Sequence, residues 1–381
     1  MKWTKKRVTN LFFLLGVAAV VVMLLTFDVS FVELWGHIKR AGLWLIPIVG
    51  VWIFVYAMNA VAWKDIINSR HRGGEGDERV GFWYIYKLTI SGYALNYATP
   101  MGGLGGEPYR ILELSKRVGN QRATSSVILY VMTHFLAHFS FWFFSIFVYL
   151  VLALHGAAPL TTAIKVFISI IFVVCLLAGY LFSRGYKHGM VVKIIRFLGK
   201  LPGLKRWSAR FLDKHSDSLA RIDRQIAEMH SQDKRTFYGS LVMEFLARVV
   251  QSLEILFMLL LFGQGGDGSL QGLAMLFVYS MLIVAITTLL ANIIGFLPMQ
   301  LGVQEGGFVV SISLLAEPLR VLLGLPEATG IGELGIFVCI ICRVREIIWI
   351  AIGLVLMKIG GTSLKDVKQA ALEQKNKTPQ E

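Results

Sequence analysis

The chain has 381 residues, of which 55% are hydrophobic and 16% charged, with a formal net charge of +14. Its mean hydropathy of +0.63 excludes an ordinary soluble domain, because a water-soluble core has no room for so much apolar surface. The positive charge would suit a nucleic-acid partner. However, the basic residues lie in loops beside apolar segments, so we expect contacts with membrane phospholipids and no nucleic acid.

The N-terminal part of the chain begins with two uncharged apolar stretches, residues 11–26 and 42–63. Both are long enough, or nearly long enough, to cross a bilayer core of about 30 Å. After a polar interruption, two further apolar runs follow, residues 124–154 and a run that ends at Ser183. We therefore predict an N-terminal membrane half comprising residues 1–183.

Between these runs, the apolar residues 81–99 lead directly into a glycine-rich motif, Pro100-Met-Gly-Gly-Leu-Gly-Gly-Glu107. The following residues, 109–122, are too polar to cross lipid and carry four basic side chains. A full crossing by residues 81–99 would put this basic loop outside the cell, against the positive-inside rule. Residues 81–122 are therefore predicted to form a broken, re-entrant hairpin whose irregular backbone is buried in protein or lines a cavity.

A basic segment separates this half from the next one. Residues 184–235 carry thirteen Lys or Arg against five Asp or Glu, which predicts a cytoplasmic location. Within the segment, residues 190–212 interleave apolar and basic side chains. This pattern fits an amphipathic element on an anionic membrane surface or a solvated linker, and both interpretations make the segment the boundary between two halves.

The C-terminal membrane half is predicted to comprise residues 236–360, followed by a polar cytoplasmic tail, residues 361–381. Its second hairpin, residues 271–320, is broken by the motif that runs from Pro298 to Glu305. Charge bias does not separate a hairpin of two full spans from a re-entrant loop. In either arrangement both termini are cytoplasmic.

The two glycine-rich motifs share a pattern, because in each a Pro-Met pair is followed by Leu-Gly and by a glutamate seven residues after the proline. Paired helix breaks in corresponding parts of two halves are typical of transporters with inverted repeats and a site near the membrane midplane. Backbone N–H groups freed by such breaks favour an anion, whereas close helix packing is the alternative explanation of the glycines. The predicted fold class is an all-α polytopic integral membrane protein with two broken or re-entrant hairpins and an inverted pseudo-repeat.

Several ionisable residues lie within the apolar segments, where charged side chains usually face a polar interior. Glu244 with Arg248, and Arg343 with Glu346, are spaced to share a helix face, so structural ion pairs remain an alternative to a binding role. Together with the two motifs they form the predicted substrate-binding set: Pro100, Gly102, Gly103, Gly105, Gly106, Glu107, Arg110, Glu244, Arg248, Pro298, Gly302, Gln304, Glu305, Arg343, Arg345 and Glu346.

Enzymatic motifs are not apparent in the sequence. His134 and His138 have a spacing that would suit a metal, but no third ligand accompanies them, so a satisfied histidine pair is the preferred interpretation. There is no nucleophile motif, P-loop or carboxylate cluster of metalloenzyme type. We therefore expect no enzymatic activity, no catalytic residues, no cofactor and no metal.

At these motifs the sequence resembles the lysylphosphatidylglycerol synthase transmembrane, or flippase-like, family. The resemblance rests on residues 100–110, on residues 298–305 and on Arg343 to Glu346, and it extends from Leu11 to Lys358. It implies a multi-pass protein of a bacterial or archaeal cytoplasmic (inner) membrane, related to the flippase half of aminoacyl-phosphatidylglycerol synthases. The chain departs from the family in having no charge in residues 130–138. It also has only a short tail where fused members carry a soluble transferase, so we expect that it does not synthesise the lipid.

The function implied is lipid transport, in which a phospholipid or an aminoacylated phospholipid moves between leaflets. Arg110, Arg248, Arg343 and Arg345 would contact phosphate, and Glu107 and Glu305 would hold those arginines or bind a cationic head group. Two alternatives stay open: a membrane-embedded enzyme or accessory protein acting on polyprenyl-linked glycolipids, and a scaffold for a separately encoded lipid-modifying synthase. A homo-oligomer is also left open.

Overall fold

The computed structural model describes residues 41–69, 79–98, 106–188, 234–263, 269–293, 302–325 and 331–359, with a few isolated positions besides. Regular structure in these ranges is helical throughout. After a short 3-10 turn, Gly42–Trp44, the helices are α1 (Leu45–Asn68), α2 (Phe82–Ala98), α3 (Gly106–Val118), α4 (Asn120–Leu154), α5 (Thr162–His188), α6 (Lys234–Phe262), α7 (Leu270–Ile293), α8 (Val303–Leu314), α9 (Ala316–Leu323) and α10 (Ile331–Ile359).

Five of the described helices, α1, α4, α5, α6 and α7, are long and apolar enough to cross a membrane. Helices α8 and α9 meet at Leu315 with a bend of 75° and would make a sixth span if counted as one. Helix α10 is about 44 Å long at 1.5 Å per residue, but it carries Arg343, Arg345 and Glu346 in its middle. The predicted all-α polytopic membrane fold is confirmed, and the inverted repeat stays a prediction.

Helices α2 and α3 occupy the predicted first hairpin, and α7, α8 and α9 occupy the second. Residues 99–105 and 294–301, which hold Pro100, Gly102, Gly103, Gly105 and Pro298, lie outside the described residues. The same holds for the predicted first span, most of the basic segment and the tail. The division of the chain into two halves therefore stays a prediction.

The helices pack in a way that brings distant parts of the sequence together. Helix α6 lies along α1, α10 lies along α2, and α8 packs between α7 and α10. Helix α5 is peripheral, with only 11% of its most apolar window buried. Side chains such as Ile170 and Leu177 on this helix are more than half exposed, a surface suited to lipid acyl chains.

Close backbone contacts hold α2 against its neighbours, because glycines lie at the contact points. A Cβ atom on Gly106 would lie 2.0 Å from the carbonyl oxygen of Gly92, and a Cβ on Gly92 would lie 2.2 Å from Nε of Arg110. On the other side of α2, a Cβ on Gly353 would lie 2.4 Å from Cβ of Ala94. Gly106, predicted to bind substrate, thus has a packing role at the start of α3.

Replacing Gly106 by alanine is expected to destabilise the protein by about 1–3 kcal/mol, because the added methyl group overpacks the contact between α2 and α3. The unfolding temperature of the detergent-solubilised variant measures this effect. Gly50→Ala in α1 is the matched control, since no atom of the described ranges lies within 4 Å of the added Cβ. Equal unfolding temperatures for the two variants would contradict the close contact.

Candidate functional site

Arg110 is the centre of a buried cluster at the start of α3. Its guanidinium donates to Glu107, with Nη1 2.9 Å from Oε1, and to the carbonyl oxygen of Thr89, 3.3 Å from Nη2. The side chain is 1% exposed. Three aromatic rings face the guanidinium, with its carbon 4.7 Å from the centroid of Tyr93, 5.4 Å from that of Tyr130 and 5.6 Å from that of Trp63. Charge, hydrogen bonds and cation–π contacts together keep this arginine inside the bundle.

Asn96 links the two sides of the first glycine-rich motif. Its Oδ1 accepts a hydrogen bond from the backbone nitrogen of Gly106 at 2.6 Å, and its Nδ2 lies 3.5 Å from Oε1 of Glu107. The amide therefore satisfies one of the free N–H groups at the start of α3. The contact holds the last turn of α2 against the first residue of α3.

A second group of charges lies between α4 and α6 and continues the first. Glu244 Oε2 accepts from Arg248 Nη1 at 3.1 Å and lies 2.7 Å from Nδ1 of His134. Arg248 Nη2 also donates to the carbonyl oxygen of His134 at 3.0 Å. The hydroxyl of Tyr93 is 3.3 Å from His134 Nδ1, so the tyrosine that faces Arg110 also contacts this group. We call Glu107, Arg110, His134, Glu244 and Arg248 the Arg110 cluster.

His138 does not complete a metal site. Its ring lies beside that of His134, with centroids 5.1 Å apart. Within the described ranges there is no group of three or more His, Cys, Asp or Glu side chains placed to hold a metal ion.

The second motif starts α8 in a similar way. Gly302 has a positive φ of 81° and precedes the helix, and its backbone nitrogen donates to Glu305 Oε2 at 2.8 Å. The other oxygen of Glu305 accepts from Arg343 Nε at 2.6 Å. A glycine suits this position because residues with a side chain rarely adopt a positive φ. The glutamate both caps the helix and binds an arginine.

Ion pairs extend from Arg343 across α10 to α6. Arg343 Nη1 donates to Glu346 Oε2 at 2.5 Å, and Arg345 Nη1 lies 3.7 Å from Glu346 Oε1. Arg345 Nε in turn donates to Glu254 Oε1 at 2.7 Å. Glu305, Arg343, Glu346, Arg345 and Glu254 thus form a row of alternating charge, which we call the Arg345 cluster.

The two clusters are joined by three aromatic side chains. Trp52 lies under the Arg345 guanidinium, whose carbon is 4.1 Å from the ring centroid, and its Nε1 donates to Glu254 Oε2 at 2.8 Å. Tyr56 is 5.3 Å from Trp52 and 5.4 Å from Tyr93 between ring centroids. Because Tyr93 faces Arg110, an unbroken series of contacts runs from one cluster to the other.

A partly open cavity lies beside the Arg345 cluster, with about 480 Å³ of space not occupied by atoms, open solvent included. The polar and charged residues of its lining include Glu254, Arg345 and Gln304. Its apolar lining residues include Phe308 and Val284. Its described lining residues are Trp52, Tyr97, Gln251, Glu254, Ile255, Val284, Thr287, Thr288, Ala291, Gln304, Phe308 and Arg345. A cavity lined by both charged and apolar residues suits an amphipathic ligand.

The structure thus brings the described charged residues of the predicted site into two adjoining clusters. Glu107 pairs with Arg110 and Glu305 with Arg343, and the spaced pairs on α6 and α10 are ion pairs as well. Gln304 donates to Glu346 at 3.1 Å between Nε2 and Oε1 and lines the cavity. The substrate-binding role of all these residues stays a prediction.

Several residues of the clusters were missed by the sequence analysis. Glu254 is the clearest, because a lone acid deep in the apolar stretch of α6 satisfies the rule that selected the others. Trp52, Tyr93 and Tyr130 gave no comparable signal, since aromatic side chains are common in membrane helices. The sequence predicts His134 to be a satisfied histidine, and in the structure its Nδ1 lies 2.7 Å from Glu244 and 3.3 Å from the Tyr93 hydroxyl.

The fold and the site define a multi-pass α-helical membrane protein with two buried ionic clusters beside a cavity. A sequence profile of the family described as "Lysylphosphatidylglycerol synthase TM region" matches residues 13–330. The chain belongs to this family. The profile match ends at residue 330. It therefore includes both glycine-rich motifs but does not reach Arg343 to Glu346 or Lys358, where the predicted resemblance ends. A search of curated proteins and a search of solved structures found no match. Family membership is compatible with a lipid-related role in a membrane.

Proposed function

We propose that the protein is a flippase-like lipid transporter, which moves a phospholipid or an aminoacylated phospholipid between the leaflets of a bacterial or archaeal cytoplasmic membrane. In this proposal both termini are cytoplasmic, and the protein has no enzymatic activity of its own. The single observation that carries it is the cavity lined by both charged and apolar residues, placed beside ionic clusters that lie inside a bundle with helices of membrane-spanning length. Family membership adds independent support.

The arginines of the two clusters supply the chemistry for a phosphate-bearing head group. A guanidinium can donate two parallel hydrogen bonds to a phosphate, and it stays charged at any physiological pH. Each arginine already has a carboxylate partner, such as Glu107 for Arg110 at 2.9 Å. A phosphate would therefore replace a carboxylate that is already there, so none of these arginines is left unpaired in the bundle when the site is empty.

The glutamates of the two motifs have a second task in this proposal, which is to set the direction in which each arginine points. Glu305 is itself fixed by the hydrogen bond from the Gly302 nitrogen, and Glu107 is fixed by Asn96. Because both glutamates sit in the first turn of a helix that follows a glycine-rich break, movement of either break would move an arginine. The acyl chains would remain in the bilayer, along apolar surfaces such as that of α5.

Removing the charge of either motif glutamate is expected to slow lipid translocation by about tenfold or more, since about 1.4 kcal/mol of lost interaction corresponds to a factor of ten. The measurement is the rate at which labelled phosphatidylglycerol moves between leaflets in liposomes that contain the purified protein. The variants are Glu107→Gln and Glu305→Gln.

Glu317→Gln is the matched control, because Glu317 lies in the same predicted hairpin as Glu305 but its side chain is 84% exposed and pairs only with Arg320 among the contacts described. This control should translocate lipid at the wild-type rate. Equal rates for all four proteins, or none above protein-free liposomes, would refute the proposed function. The separate-synthase scaffold would then be favoured if such an enzyme co-purified with the chain.

A further inference from the structure

The Arg345 cluster does not balance its own charge. Its row of alternating charge starts at the carboxylate of Glu305 and ends at the carboxylate of Glu254, so three carboxylates share two guanidiniums. Glu254, Glu305 and Glu346 are each at most 2% exposed. A buried net negative charge is costly in a membrane protein, so an additional positive charge in the cluster is favourable.

Nearby basic side chains do not supply that charge within the part of the chain that the structure describes. The guanidiniums of Arg110 and Arg248 have carboxylate partners of their own in the other cluster. The two glycine-rich stretches, residues 99–105 and 294–301, contain no charged residue. Glu254 and Arg345 are the charged side chains among the described residues that line the cavity.

Glu254 is the end of the row that faces the cavity. Its partner Arg345 is 2.7 Å away through Nε and also lies 3.7 Å from Glu346. If a positive charge approached Glu254 from the cavity, Arg345 could strengthen its pairing with Glu346 by a short movement. The row would then be neutral from end to end.

Other features of the same cavity favour a ligand with N–H donors. Gln304 Oε1 is buried and has no hydrogen-bond partner among the residues that the structure describes, although Gln304 lines the cavity. The rings of Trp52 and Tyr97 form part of the same wall, and aromatic faces attract cations. An ammonium group could donate to the free oxygen of Gln304 and to Glu254 together.

We propose that Glu254 is a proton-binding site, and that it exchanges its proton for the ammonium group of a lipid head group that enters the cavity. The proton would move from a Glu254 carboxylate oxygen to solvent, and the ammonium would take over its role of neutralising the row. The lipid part rests on the proposed function, whereas the proton-binding part rests on the charge of the Arg345 cluster. A lipid whose entry releases a proton would couple its movement to the proton gradient across the membrane.

The other titratable or charged groups described around Glu254 come from α10 and α2, and α1, α7 and α8 add polar groups. On α10 these are Arg345, Cys342, with Sγ 3.8 Å from Glu254, and Glu346. Tyr97 on α2 interacts electrostatically with Glu254 and with Glu346. From α1, Trp52 contributes an N–H donor, and α7 and α8 contribute Thr287, Thr288 and Gln304 to the cavity wall.

Calorimetric titration of the detergent-purified full chain tests the exchange, if it is repeated in two buffers with different enthalpies of ionisation. The ligands are dihexanoyl-phosphatidylethanolamine, which carries an ammonium group, and dihexanoyl-phosphatidylglycerol, which has the same acyl chains and no amine. We expect release of up to about one proton per bound phosphatidylethanolamine, because one positive charge is missing from the row. No proton should be released by phosphatidylglycerol.

Two substitutions should abolish the proton release, because each removes one of the three carboxylates: Glu254→Gln at the cavity and Glu305→Gln at the far end of the row. Glu305→Gln still tests the proposal if Glu254→Gln does not fold. The control Glu317→Gln should release protons as the wild type does. Absence of proton release from the wild type, failure of the amine lipid to bind, or unchanged release from both variants would overturn the proposal.

The outcome separates this inference from the proposed function. Proton release without translocation in liposomes would refute the transport function and leave the exchange site standing. Translocation without proton release would refute only the exchange.

Discussion

Replacing Arg345 by methionine alone is expected to lower the free energy of unfolding by about 3–5 kcal/mol, because it leaves Glu254 buried without its charged partner. Glu254→Leu should cost less, because Arg345 keeps Glu346, 3.7 Å away, as a charged partner. Both side chains are at most 3% exposed, and Nε of the arginine lies 2.7 Å from the carboxylate. Denaturant titration of the detergent-solubilised proteins, followed by tryptophan fluorescence, measures both effects.

The double variant Glu254→Leu/Arg345→Met is expected to recover most of the loss, since replacing a buried ion pair by apolar side chains is often neutral. This variant also separates structure from function. If the pair acts in transport, the double variant should be stable and inactive in the liposome assay. Destabilisation equal to the sum of the two single losses would show that the pair does not interact as described.

Arg110→Lys is expected to reduce translocation by about tenfold or more, although the charge is kept. Lysine presents a compact ammonium and lacks the planar guanidinium that binds Glu107 and the Thr89 carbonyl while facing three rings. A tenfold slower translocation rate corresponds to about 1.4 kcal/mol of lost interaction. The rate of lipid translocation in liposomes gives the effect.

Arg117→Lys is the control for this substitution. Arg117 lies on the same helix and also faces an aromatic ring, that of Tyr84 at 3.9 Å, but it is exposed. Its replacement should leave the translocation rate within about twofold of the wild type. An equal loss of translocation rate in Arg110→Lys and Arg117→Lys would contradict a specific role for the buried Arg110.

Local features of the Arg110 and Arg345 clusters could be predicted from the sequence. Residues three or four apart on a helix share a face, which is why Glu244 meets Arg248 and Arg343 meets Glu346 in the structure. Uncharged runs of membrane length likewise predicted α1 and α4, to within a few residues at their ends. These inferences need only the geometry of one helix.

Contacts between helices were beyond such reasoning. The hydrogen bond from Trp52 to Glu254 joins residues 202 positions apart, and it depends on α6 lying along α1. Helical periodicity tells which side of a helix is buried but not which helix covers it. The ring contacts of Tyr56 and Tyr93, which join the two clusters, depend in the same way on how α1 and α2 pack.

The central claim is that the two glycine-rich motifs serve one site, and a double variant tests it most directly. Translocation rates should be compared for Glu107→Gln, Glu305→Gln and the combination of both in the same liposomes. Because the two clusters are joined through Trp52, Tyr56 and Tyr93, we predict that the double variant is no slower than about the slower single variant. Losses that multiply in the double variant would contradict the claim and show two independent sites.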